Sequence, residues 1–171
     1  LMVLRGAKSW WHPGRSGKLS LGPKNIMCAF GELHPKIVEA FNIKGPAVAF
    51  AIHLENPPLP KKKTTTRAAL KTSDFQSVDR DFAFVVDNKV EALSVLNAAK
   101  GADKSLITDA HVFDVFDGVK ADGQMGLDKK SIAITVKLQP KDATLTDKDI
   151  EAVSEKIIEK VTKATGGVLR G

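Results

Sequence analysis

Five side chains in the second half of the sequence offer an aromatic ring, a carboxylate, a hydroxyl, a guanidinium and a small apolar surface. They are Phe116, Asp114, Ser131, Arg170 and Ala83. An aromatic ring can stack on a flat ligand, a carboxylate accepts hydrogen bonds from amino groups, and a guanidinium donates to a base edge or a phosphate. On one exposed surface, this combination suits an unstacked nucleobase.

The segments that must position these side chains read as a regular series of strands and helices. Alternating apolar residues predict strands at 81–86, 107–116 and 131–138, and helical spacing predicts a helix at 90–99. A second helix begins at Thr146, which has Asp149 three residues later as a capping-box partner, and a last short strand covers 168–170. The order strand, helix, strand, strand, helix, strand predicts an α+β ferredoxin-like fold, a split βαβ arrangement with an antiparallel sheet and two helices on one of its faces.

The two-residue period of a strand predicts which side chains share the uncovered face of this sheet. We place Phe82, Phe84 and Val86 against the helices. In the second strand we place Ile107, His111, Phe113 and Val115 on the core side. The uncovered face then carries Asp81, Ala83, Val85, Val112, Asp114, Phe116, Ser131, Ala133, Thr135, Lys137 and Arg170. Docking of this face on another domain is the alternative to binding of a base.

Charge is unevenly spread along the sequence. Residues 1–70 have a net charge of +8, and residues 71–171 have a net charge of −2. The negative balance of the second part argues against general phosphate binding there. It leaves base recognition open, because contacts to base edges need little net charge.

The first part of the sequence predicts a small β-rich module with one helix. Its strands are expected at 18–21, 26–33 and 47–55, with a helix at 35–41 that has a proline in its first turn. Prolines and lysines at 56–66 predict a boundary, so we divide the chain into 1–56, a linker at 57–70 and a domain at 71–171. The linker lysines Lys61, Lys62 and Lys63 either contact phosphate or keep an extended segment in solution.

Several classes of protein are excluded or disfavoured. The single cysteine, Cys28, excludes an internal disulfide and Cys-rich zinc sites, and it fits a reducing, cytoplasmic location. No apolar run is long enough to cross a membrane. His12, His34 and His53 lack the spacing of a metal site, and no catalytic set stands out, so we predict no metal site and no catalysis by this chain alone. The apolar start without a basic leader indicates a piece of a longer polypeptide.

Short sequence motifs in fixed order resemble a known family. They are RDFAFVV (80–86), FDVF (113–116), KKS (129–131), TLTD (144–147) and LR (169–170). Together they resemble the ferredoxin-fold anticodon-binding domain at the carboxyl end of bacterial phenylalanine–tRNA ligase beta subunits. HPGR (12–15) and GELHP (31–35) resemble the end of the inactive, catalytic-like module, similar to a class II synthetase, that precedes it in that family.

This resemblance implies a tRNA-binding part of an aminoacyl-tRNA synthetase that recognises the anticodon of tRNA(Phe). It implies an alpha subunit and the rest of the beta subunit as partners in an alpha2beta2 tetramer, with ATP and Mg²⁺ used by the whole enzyme and no cofactor held by this part. It places the anticodon contacts at Ala83, Asp114, Phe116, Ser131 and Arg170. Arg80 joins them from the entry of its strand. Phe116 stands where a tyrosine is usual, which keeps the stacking ring and removes a hydroxyl.

Other functions share this topology. An acylphosphatase-like hydrolase needs an Arg in an anion-binding loop after the first strand, and residues 87–90 contain no Arg and no Gly. A small-molecule regulatory domain usually has a Gly at the same junction. A general RNA-recognition motif carries aromatic residues on its third strand, whereas residues 131–136 contain none.

Overall fold

The computed structural model describes residues 1–59, 69, 70, 72–117 and 128–170. It separates the chain into two units, Leu1–Ala68 and Ala69–Gly171. The three linker lysines at 61–63 lie outside the described residues.

The first unit is a four-stranded antiparallel sheet with one short helix. Its elements are β1 (Met2–Arg5), β2 (Trp11–Leu21), β3 (Asn25–Leu33), α1 (Pro35–Ala40) and β4 (Val48–Ile52), and the strands are ordered β1-β2-β3-β4. Strand β1 was not predicted, and β2 begins seven residues earlier than expected. The pairing of β2 with β3 shifts between Trp11 and Ser16, around Pro13, which has no backbone N–H to donate to a ladder.

The two distinctive motifs of the first unit lie beside each other in the β2–β3 pair. Arg15 Nη1 donates to Glu32 Oε2 at 3.0 Å, so Arg15 belongs to strand β2 and to an ion pair. Gly31 has a φ of 142°, and a Cβ at this position would collide with the backbone of Arg15 and Ser16. His34 Nδ1 accepts from the N–H of Lys36 at 3.2 Å and caps α1, which is a structural role.

The second unit has the predicted order of elements. They are β5 (Val78–Asp87), α2 (Ala92–Lys100), β6 (Ile107–Asp117), β7 (Lys129–Leu138), α3 (Asp147–Thr165) and β8 (Val168–Leu169). The strands form an antiparallel sheet in the order β6-β7-β5-β8. The prediction of a ferredoxin-like α+β fold is therefore confirmed.

One face of this second sheet and the inner sides of the two long helices form the core. The buried side chains on β5 alternate as predicted, at Phe82, Phe84 and Val86. They pack with apolar residues of β7 and with buried residues of the helices, including Ile132, Ile134, Val136, Leu138, Val95, Ala99, Val153, Ile157 and Val161. Each fully buried aliphatic or aromatic side chain contributes about 1.5–3 kcal/mol to folding.

Helix α3 has well-defined ends. The Thr146 hydroxyl accepts from the N–H of Asp149 at 3.3 Å, and Asp149 Oδ2 accepts from the N–H of Thr146 at 2.9 Å, which confirms the predicted capping box. At the other end, Gly166 adopts a left-handed conformation with φ of 67°. Gly167 then passes so close to β5 that a Cβ there would lie 2.7 Å from Cγ1 of Val86. These two glycines bring the chain from α3 onto the sheet edge as β8.

Candidate functional site

The face of the second sheet opposite α2 and α3, called the open face below, is organised in rows that cross the strands. The first row contains Phe116, Ser131, Val85 and Val168, and the second row contains Asp114, Ala133, Ala83 and Arg170. The third row contains His111, Thr135 and Asp81. Successive rows are about 7 Å apart, because residues on one face of a strand recur every second position.

The second row has a small apolar floor between two opposite charges. Ala133 and Ala83 are direct partners in the β5–β7 ladder, and Asp114 lies opposite Ala133 on the outer side. The N–H of Arg170 donates to the carbonyl of Ala83 at 2.7 Å, which extends the pairing of β8 by one residue. With strands about 4.8 Å apart, the carboxylate and the guanidinium start from backbones about 14 Å apart. A flat ring can lie between them on the two methyl groups.

The first row pairs an exposed ring with a covered hydroxyl. Phe116 is 37% exposed, whereas Ser131 is only 4% exposed and lies between Phe116 and Val85 in the register. The sequence placed the serine hydroxyl on the surface. The structure keeps Ser131 in the register of that face but leaves almost none of it accessible, so a ligand on this row meets mainly the aromatic ring.

The third row contains a fixed carboxylate. Thr135 Oγ1 donates to Asp81 Oδ1 at 2.7 Å across the β5–β7 ladder. This hydrogen bond holds the Asp81 side chain over the open face.

Two irregularities in β6 correct the predicted facing of its residues. The pairing with β7 shifts between Ile107 and Asp109 and again between Val112 and Asp114, so β6 has one extra residue at each place. As a result Val112, predicted on the open face, packs against the core. His111, Phe113 and Val115, predicted in the core, are exposed, although Val115 keeps the predicted side of its strand opposite Ile132. The predicted open positions of Asp114 and Phe116 are retained because they follow the second shift.

The apolar residues of β6 carry a signal that could have located these shifts. Ile107, Ala110, Val112 and Val115 pair with the buried β7 residues Leu138, Val136, Ile134 and Ile132. The intervals between them are three, two and three residues. A regular strand would have intervals of two, so the first and the last interval each contain one added residue. A β-bulge produces such a pattern, since two residues of the bulged strand oppose one of its partner.

Arg80 lies apart from the other predicted site residues. It is exposed and pairs with Val136, whose side chain is buried on the helix side of the sheet. Alternation along β5 therefore places Arg80 on the same side as Phe82, away from the open face. The structure brings Ala83, Asp114, Phe116, Ser131 and Arg170 together on the open face and leaves Arg80 outside them.

The charges around the open face are mixed. Asp109 lies in the row beyond His111, and its Oδ1 accepts from Lys100 Nζ at 3.0 Å. This hydrogen bond holds the pKa of Asp109 below the usual value for an aspartate. Asp79 and Asp81 lie on the same face as Lys137 and Arg170. Such a surface suits groups with both donors and acceptors better than it suits a row of phosphates.

Two further features are absent from the described part of the chain. Among residues 1–59, 69, 70, 72–117 and 128–170, no group of three or more His, Cys, Asp or Glu side chains could hold a metal ion. No helix in the same residues is long and apolar enough to span a membrane.

Comparisons with known proteins match both units. Residues 73–170 match the family model for the ferredoxin-fold anticodon binding domain, and residues 2–54 match that for the phenylalanyl tRNA synthetase beta chain CLM domain. Similar proteins include the phenylalanine–tRNA ligase beta subunits of Cereibacter sphaeroides, 63% identical over 171 residues, and Ruegeria pomeroyi, 60% identical over 171 residues. That of Mesorhizobium japonicum is 50% identical over 172 residues. Each alignment covers 100% of this chain and 21% of the relative, so the chain spans about a fifth of the length of these proteins.

Proposed function

We propose that the open face of the second unit binds the anticodon loop of a tRNA. The proposal rests first on the family, because this chain belongs to the family of ferredoxin-fold anticodon binding domains. The observation that carries this proposal is the second row. Its four residues come from β6, β7, β5 and the position directly after β8, and they place an acceptor and a donor on either side of a flat floor. Unstacked bases of a loop are recognised by such combinations of a surface for the ring and polar groups for its edges.

We further propose that the tRNA is tRNA(Phe). The support is that relatives that are 50% to 63% identical to this chain over the 171 or 172 aligned residues are named phenylalanine–tRNA ligase beta subunits. In this proposal the chain acts within a longer beta subunit, in the cytoplasm, together with an alpha subunit in an alpha2beta2 assembly. Aminoacylation with ATP and Mg²⁺ belongs to the rest of that enzyme.

The proposed roles follow from the rows of the open face. Phe116 stacks on one base, and the absence of a hydroxyl on its ring leaves this stacking intact. Asp114 accepts a hydrogen bond from a base amino group, and Arg170 donates to a base edge or to the backbone. Ala83 and Ala133 keep the floor low enough for a ring to approach. Ser131, which is nearly covered, supports the Phe116 ring from below.

A binding titration tests the proposal. The 171-residue chain is titrated with the anticodon stem-loop of tRNA(Phe), and with stem-loops in which the three anticodon bases are replaced one at a time. We expect each replacement to weaken binding, since each mismatched recognition contact typically costs about 1–3 kcal/mol, or about 5- to 150-fold in affinity. Equal affinity for all stem-loops would show that the open face does not read the anticodon.

A matched pair of variants locates the binding surface. Asp114→Asn removes the acceptor charge on the open face, and Asp142→Asn removes the same charge from an exposed loop residue. We expect only the first to reduce discrimination among the stem-loops. Equal effects of the two variants would point to general electrostatics in place of base recognition.

A further inference from the structure

Phe113 is an exposed aromatic residue that the proposed contacts do not use. It is 56% exposed and lies on β6, the edge strand of the second sheet. It belongs neither to the buried core nor to the partly buried side chains that pack against the core. More than half of the surface of Phe113 is therefore accessible to another molecule.

The bulge in β6 determines where Phe113 lies. Val112 points to the core and pairs with Ile134, and the next ladder pair is formed by Asp114 and Ala133. Phe113 is the extra residue between them. Alternation from Val112 places Phe113 on the open face, and the bulge allows Asp114 to remain on the same face.

Phe113 therefore lies beside the carboxylate of the second row, while Phe116 lies in the first row. Both rings are on the same edge strand, about 7 Å apart along it by the spacing of the rows. Asp114 lies between them in sequence and opposite the alanine floor. Two rings with an acceptor between them can hold two neighbouring bases, each stacked on one ring, with an amino edge turned to the carboxylate.

We propose that Phe113 is a second stacking platform of the open face and takes the base next to the one that stacks on Phe116. This inference rests on the proposed function, because it assigns the ring to the same anticodon loop. Stacking on an aromatic side chain tolerates any base, so Phe113 contributes affinity and order, while Asp114 and Arg170 supply the discrimination.

The experiment compares substitutions of Phe113 in the full chain. Phe113→Ala, Phe113→Leu, Phe113→Trp and Phe116→Ala are titrated with the tRNA(Phe) anticodon stem-loop, in which each loop base in turn is replaced by the fluorescent base 2-aminopurine. Phe41→Ala is the matched control, because Phe41 is 75% exposed in the first unit. Circular dichroism and thermal unfolding establish that each variant is folded.

We expect Phe113→Ala to weaken binding by about 5- to 150-fold, the range that corresponds to about 1–3 kcal/mol for one stacked base. Phe113→Leu should remain weak, and Phe113→Trp should bind like the unaltered chain or better. The quenching of 2-aminopurine should be lost at one loop position in Phe113→Ala and at its neighbour in Phe116→Ala.

Two outcomes separate failure of this inference from failure of the proposed function. If Phe113→Ala binds like Phe41→Ala while Phe116→Ala and Asp114→Asn weaken binding, the second platform is wrong and anticodon reading stands. The same result is expected if Phe113 instead contacts another part of the longer protein. If the unaltered chain does not distinguish anticodon bases, the proposed function and the inference both fall.

Discussion

Asp114 lies directly opposite Ala133 across the β6–β7 ladder because β6 contains one residue more than β7 at this point. The extra residue separates Asp109–Val112 from Asp114–Asp117, and each of these two stretches pairs with β7 without a further shift. The acceptor of the second row thus depends on an insertion in one strand and on a small residue in the next.

Two single-residue deletions in β6 should have opposite consequences. Removing Phe113 leaves Val112 opposite Ile134 and Asp114 opposite Ala133, so Asp114 and Phe116 stay on the open face. Removing Val115 moves Phe116 to the core side. Phe113 and Val115 are similarly exposed, at 56% and 51%, so the two deletions lose comparable packing. We expect the first variant to bind the stem-loop like Phe113→Ala and the second to bind far more weakly. Equal titration curves would contradict the bulge register.

Arg170 and Arg80 offer a test of which face binds. Both are exposed arginines, Arg80 within β5 and Arg170 directly after β8, and the register places them on opposite sides of the sheet. We expect Arg170→Ala to weaken stem-loop binding by about tenfold or more and to leave the thermal midpoint nearly unchanged, because loss of a charged hydrogen bond costs about 1.5–3 kcal/mol. Arg80→Ala should change affinity much less. A larger effect at Arg80 would place the contact on the helix side or at the sheet rim.

The floor of the second row should tolerate polarity and reject bulk. Ala133→Ser adds a hydroxyl of similar size, whereas Ala133→Leu raises a branched side chain between Asp114 and Ala83. We expect near-normal affinity for the serine variant and more than tenfold loss for the leucine variant, with similar unfolding midpoints for both. Tight binding by a folded Ala133→Leu variant would show that no ring approaches the alanines.

Two glycines in the turn from α3 to β8 should respond differently to substitution. Alanine at Gly166 should lower stability alone, whereas alanine at Gly167 should lower both stability and stem-loop binding. Gly166→Ala meets no atom within 4 Å, but it imposes a left-handed φ on an alanine at a cost of about 1–2 kcal/mol. Gly167→Ala would press its Cβ against the buried Val86, at a cost of about 1–3 kcal/mol, and push β8 away from β5. Thermal unfolding should show both losses. Titration below the transition should show weaker stem-loop binding only for Gly167→Ala.

Acid should destabilise the second unit below the ordinary aspartate pKa of about 3.9. Asp103 accepts from the Ser105 hydroxyl at 2.6 Å, which is the main reason that its pKa is lowered. A lowered folded-state pKa adds stability above the unfolded value, and this stability is lost as the pH falls through the folded value. Asp103→Asn should therefore be less stable near neutral pH and lose less between pH 5 and pH 2. Denaturant unfolding between pH 5 and pH 2 measures the free energy of unfolding of each variant, with Asp142→Asn as the charge-matched control.

Sequence patterns predicted the second unit well wherever its strands are regular. Strands β5 and β7 alternate without interruption, so the facing of Phe82, Ala83 and Ala133 followed directly from the period of two. The Thr146 capping box could be predicted because its two members interact within one helical turn. In these cases the local sequence contains the whole physical cause of the structure.

The remaining errors arise where a neighbour decides the outcome. The facing of Val112 and Phe113 depends on an unpaired residue in β6, which only the partner strand reveals. The 4% exposure of Ser131 depends on packing that the alternation along β7 alone does not reveal. The roles of the individual open-face residues in binding remain predictions.

The second row has a thermodynamic consequence that follows from the shortness of β8. Arg170 is held by the backbone of a two-residue strand plus one further hydrogen bond, so the edge that carries the guanidinium can fray while the rest of the sheet stays folded. A ligand that needs Arg170 binds only the unfrayed form and so shifts the fraying equilibrium by mass action. Amide protons of β8 would then exchange with solvent more slowly in the bound chain, and this part of the binding free energy would be spent on ordering the edge.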